Sequence, residues 1–130
     1  MRIFLTLLVF SLLASLASAE PYAWDLLKDA KFNKAYKAAL GPKVKEPWLA
    51  ELSGPSEEGK KVKIGGKEYL FVHSCKPHAC DTHNLVLLYL AESGAVYGKI
   101  SEDHKLTSIG KPPADVAAEL DKLYTKQFRR

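Results

Sequence analysis

Asn84-Leu85-Val86-Leu87-Leu88-Tyr89-Leu90-Ala91-Glu92 is the stretch that decides the fold. Its apolar run from Leu85 to Leu90 is almost unbroken, which predicts a strand central to a sheet. Ser93-Gly94 then turns the chain, and Ala95-Val96-Tyr97-Gly98-Lys99-Ile100 returns as the second arm of a hairpin. Upstream, Lys61-Val62-Lys63-Ile64 alternates, Gly65-Gly66 supplies a two-residue turn, and Lys67 to Ser74 resumes with Tyr69, Phe71 and the β-branched Val72. That is a hairpin signature. Downstream, Lys105 to Ile109 adds a short fifth strand.

The segments outside these strands are helical or connecting. Between Trp24 and Leu40, residues Phe32, Ala35, Tyr36, Ala39 and Leu40 recur at amphipathic-helix spacing, and Gly41-Pro42 stops the helix. Residues 42 to 59 carry Pro42, Pro47, Gly54, Pro55 and Gly59, and read as a connector pinned to the core by Trp48, Leu49 and Leu52. From Pro113, Val116, Ala117, Leu120, Leu123, Tyr124 and Gln127 fall at helical spacing, with Asp115 early and Lys122, Lys126, Arg129 and Arg130 late, as the helix dipole favours. The order predicts an α+β domain: a central antiparallel β-sheet of about five strands with an N-terminal and a C-terminal helix packed on it.

With 130 residues, 47% apolar and 26% charged, the chain can build one core, which excludes a multidomain enzyme, a disordered protein and a fibre. Its formal charge of +4 is spread along the sequence and singles out no partner. Lys60, Lys61, Lys63 and Lys67 make a basic hairpin, but Glu57, Glu58 and Glu68 interrupt it, so a solvated face is expected rather than a nucleic-acid surface.

Residues 1 to 19 read as a cleaved signal peptide. Arg2 precedes the apolar run Ile3 to Ala14, and Ala17-Ser18-Ala19 offers the small residues of a cleavage site. The run is short for a bilayer span, so a mature domain of residues 20 to 130 is expected to be exported, soluble and free of the membrane. Loss of Arg2 leaves 18 basic against 15 acidic residues, or +3.

Cys75 and Cys80 both lie in the exported part, where an even count in an oxidising compartment argues for one disulfide. So small a ring is worth only about 2 kcal/mol of loop entropy. It is better suited to holding Lys76-Pro77-His78-Ala79 in one shape, and its place between two strands makes it a projecting loop. Zinc binding by His73, His78 and His83 with the two cysteines would need the thiols reduced and the ligands convergent, and the spacing matches no common zinc motif. Cys-x4-Cys is not a thiol-oxidoreductase motif. No Gly-x-Ser-x-Gly marks a hydrolase, which leaves Ser74, Ser93 or Ser108 without a signature.

Cys75-Lys76-Pro77-His78-x-Cys80, after the Gly65-Gly66-Lys67-x-Tyr69 strand and ahead of an apolar strand, resembles the inhibitor of vertebrate lysozyme (Ivy) family of Gram-negative periplasmic proteins. Phe32 to Tyr36, Pro47-Trp48 and Gly110-Lys111-Pro112 extend the likeness along the chain, and the ring is its specific part. The resemblance implies an inhibitor, not an enzyme and without a cofactor, that serves evasion of host defence. Its disulfide-closed loop Cys75, Lys76, Pro77, His78, Ala79, Cys80 would enter the cleft of a c-type lysozyme, with His78 on the two catalytic carboxylates. The family loop usually carries Asp before the second Cys, where this chain has Ala79, and Asp81 lies outside the ring. The resemblance therefore leaves open an endogenous lytic transglycosylase as target. A periplasmic metal-binding protein using His73, His78 and His83, and a small secreted hydrolase, stand as alternatives of other classes.

Overall fold

The computed structural model describes residues 19–129, so residues 1–18 of the expected signal peptide lie outside the described part. The chain forms α1 (Ala23–Leu26), α2 (Ala30–Leu40), a 3-10 turn (Gly41–Lys45), α3 (Pro47–Glu51), β1 (Lys60–Ile64), β2 (Lys67–Cys75), β3 (His83–Leu90), β4 (Ala95–Glu102), β5 (Lys105–Ile109) and α4 (Ala114–Phe128). The strands make one antiparallel sheet in chain order, β1-β2-β3-β4-β5. All five expected strands are present, and β3 is the middle one.

The apolar run in β3 has a two-sided explanation. Side chains alternate across a strand. Leu85, Leu87 and Tyr89 join the core beneath α1, α2 and α3, whereas Val86, Leu88 and Leu90 join a second core beneath α4. Each is 5% exposed or less. The sheet is thus covered on both faces, and every one of these residues gains roughly 1.5–3 kcal/mol from burial.

The N-terminal helix is divided where one continuous helix was expected. Asp29 stands outside the helical region at φ −80° and ψ 114°, and its carboxylate accepts from the N–H groups of Lys31 and Phe32. A short acidic side chain competes with the helical backbone and becomes an N-cap, so α1 ends and α2 begins there. Beyond it the expected face holds: Phe32, Tyr36 and Leu40 are buried, with Ala35 and Ala39 against them. The Tyr36 hydroxyl donates to the Leu49 carbonyl at 2.7 Å, and burial pushes its phenol far above the usual range. This ties α3 to α2. The connector of residues 42–59 is therefore partly helical, with Trp48, Leu49 and Leu52 buried as expected.

In α4, Val116, Leu120 and Tyr124 are buried, and Lys99 of β4 pairs with Asp121 beside the Tyr124 ring. Gly65 and Gly66 both have positive φ, the form a two-residue hairpin turn demands. That turn and the β3–β4 turn lie at one end of the sheet. The other end carries the β2–β3 loop and the β4–β5 turn.

Candidate functional site

Strands β2 and β3 part at the pair Cys75 and Asn84. Residues 76–82 close the gap. The Lys76 N–H still donates to the His83 carbonyl at 3.0 Å, so the loop leaves the sheet as an extension of its ladder. The Ala79 N–H then donates to the Lys76 carbonyl at 3.0 Å, closing a four-residue turn. Pro77 is second in it and His78 third, with φ +67° at His78. A turn with Pro second and positive φ third favours glycine at the third place, because a Cβ is crowded there. This chain puts a histidine there, with its side chain exposed at the apex.

The return limb is held as firmly. The Ala79 carbonyl accepts from the N–H groups of Thr82 at 3.1 Å and His83 at 2.8 Å and from the Thr82 hydroxyl at 3.3 Å. The Asn84 side-chain amide donates to the Cys80 carbonyl at 2.8 Å. Cys75 and Cys80 are bridged, as expected, with their Cα atoms 4.9 Å apart, inside the span a disulfide requires. Cys75 is buried, Cys80 half-buried, and Lys76, Pro77 and His78 exposed. The ring has its root in the protein and its tip in solvent.

Two supports were not legible in the sequence. Gly54, in the connector, lies so close to the ring that a Cβ would stand 1.6 Å from the Cys75 carbonyl oxygen and 3.4 Å from Pro77 Cδ. Gly54-Pro55 reads as a turn, and nothing local betrays this long-range contact. On the other side the Asp103 N–H donates to the Thr82 carbonyl at 3.0 Å, tying the β4–β5 turn to the loop.

The three histidines weighed as a metal site stand apart. His78 is at the apex. His83 has Nδ1 2.9 Å from the Thr82 hydroxyl, Nε2 3.9 Å from the Asp103 carboxylate, and its ring edge-on to Trp48. His73 belongs to the α4 side, between Phe71 and Phe128, with Nε2 3.9 Å from the Glu57 carboxylate. Burial lowers its pKa, Lys60 lowers it further, and Glu57 opposes them. No three His, Cys, Asp or Glu side chains among the described residues are grouped to hold a metal ion. Ser74 is fully buried, and among the described residues no serine hydroxyl is hydrogen-bonded to a histidine.

The sequence model of the family described as inhibitor of vertebrate lysozyme (Ivy) matches residues 31–129, from α2 through the ring to the end of α4. The chain belongs to the Ivy family. A curated relative, the inhibitor of vertebrate lysozyme of Pseudomonas aeruginosa, is 28% identical over 83 residues, which is 63% of this chain and 54% of the relative. The chain thus spans about half the length of that relative. The Ivy match includes every element except α1, which precedes it.

Proposed function

We propose that this Ivy-family protein, exported to the periplasm after removal of residues 1 to 19, inhibits a c-type lysozyme by inserting the 75–80 loop into its active-site cleft. It acts by occupancy rather than turnover. The observation that carries the reading is the exposed imidazole of His78 at the apex of a disulfide-closed, hydrogen-bonded turn. Retaining glycosidases hold their two carboxyl groups about 5 to 5.5 Å apart. An imidazole between them can donate from both nitrogens when protonated, so one side chain satisfies both carboxylates and shuts out the substrate. Pro77, the bridge and the bonds to Ala79 fix the loop beforehand, so little ordering entropy opposes insertion.

Ala79 favours a second target. A carboxylate at that place would be a further polar contact for a lysozyme, and here a half-buried methyl group replaces it. An endogenous lytic transglycosylase, with a different constellation around its cleft, is the second reading. Titrating a c-type lysozyme and a lytic transglycosylase with the mature protein in parallel tests both. Inhibition of lysozyme supports the first reading, inhibition of the transglycosylase alone supports the second, and inhibition of neither removes the assignment.

A further inference from the structure

The inhibitory loop is one wall of a groove. Lys76 and Pro77 form that wall, and Glu46, Pro47, Trp48 and Glu51 of the α3 region form the other. Whatever closes around the ring must push the rim of its own cleft into this groove, because the wall it grips and the wall of the groove are the same residues. The two glutamates are exposed, and among the described residues neither takes part in an ion pair, nor does Lys76. Two prolines, the edge of a buried Trp48 and the exposed Ser53 complete the lining. A flat cation suits this lining best, since a guanidinium stacks on apolar and aromatic surfaces while pairing with carboxylates, and a compact ammonium does not.

We infer that the groove between α3 and the ring is a second recognition site, which receives an arginine side chain on the rim of the target enzyme's cleft, paired with Glu46 and Glu51. The inference rests on the proposed cleft-plugging function and adds what sets its specificity. It also removes an electrostatic difficulty. The mature chain is +3 and a c-type lysozyme is typically cationic, so the whole molecules repel. Two carboxylates placed beside the inserted loop supply attraction where contact is made, with Lys76 on the facing wall keeping an arginine toward the α3 side.

The test uses the mature protein, a cationic c-type lysozyme, and the Glu46→Gln/Glu51→Gln and Glu51→Arg variants, whose sites are exposed and leave the thermal midpoint unchanged. The double substitution raises Kd about 5- to 10-fold at low salt, as expected for two partly exposed charge pairs, and Glu51→Arg raises it further. Salt distinguishes the cause. In the parent protein the groove's attraction and the overall repulsion are screened together, so affinity changes little with salt, whereas the double variant keeps the repulsion without the groove's attraction, the buried His78 contact being little screened, and binds more tightly as salt is added. A double variant with the parent's Kd and salt response overturns the inference while leaving the cleft-plugging role standing. A parent protein that fails to inhibit the lysozyme overturns the inference together with the lysozyme reading.

Discussion

His78 stands exposed at the apex of the ring in a backbone conformation that does not favour its own side chain. Its backbone lies at φ +67°, a region that costs an L-residue roughly 1–2 kcal/mol and costs glycine nothing. His78→Gly is therefore expected to unfold at a higher temperature than His78→Ala, while both lose inhibition, by about 2–4 kcal/mol as for a buried hot spot. Thermal melts and inhibition assays of the two variants, run together, check this; a His78→Ala protein that still inhibits would remove the imidazole from the mechanism. Ala79→Asp, which restores the usual family residue, is expected to tighten binding to lysozyme and is read by the same assay. His73 answers to pH instead. Burial lowers its pKa in the fold, so below its ordinary value the unfolded chain binds a proton that the folded one resists, and stability falls as pH drops through that window. With the facing Glu57 and Lys60 retained, His73→Phe should flatten the pH dependence of the melting temperature between about pH 7 and 5. An unchanged profile would contradict the burial argument.

At the scale of elements, the strands were the most legible part of the chain. Gly65-Gly66, Ser93-Gly94 and the apolar run of β3 each act locally, and all three appear where periodicity places them. The helical parts were less so. Asp29 divides the first helix because a cap competes with propensity at one residue, and the connector gains α3 from the Pro47 start and the burial of Trp48 and Leu49. The ring was readable from its cysteines, but its footing was not. Gly54 meets Cys75 across 21 positions of sequence, and only the folded chain brings them together. Gly54→Ala is expected to reduce both melting temperature and inhibition, because the connector must move off the ring, and to do so more severely than reduction of the disulfide. Reduction should lower affinity more than stability, since a six-residue loop contributes only about 2 kcal/mol of chain entropy. Calorimetry of the reduced protein beside a binding titration separates the two effects; loss of the fold with binding intact would reverse that reading.

At the scale of the whole molecule, the sheet is covered on both faces, and the disulfide ring with its supports lies at one end. Net charge belongs to this scale too, and it works against meeting a cationic enzyme, so affinity must come from slow dissociation once the loop is seated. Kinetics over a range of salt should show a Kd that barely moves. The central claim is that the loop carrying His78 occupies the catalytic cleft itself. Its most direct test is competition: binding to a c-type lysozyme is measured with increasing amounts of a chitin oligosaccharide that fills the same cleft. The account predicts that the apparent Kd rises in inverse proportion to the fraction of clefts left free of saccharide and that His78→Ala weakens the direct contact; simultaneous binding of saccharide and protein, with Kd unchanged, would contradict it.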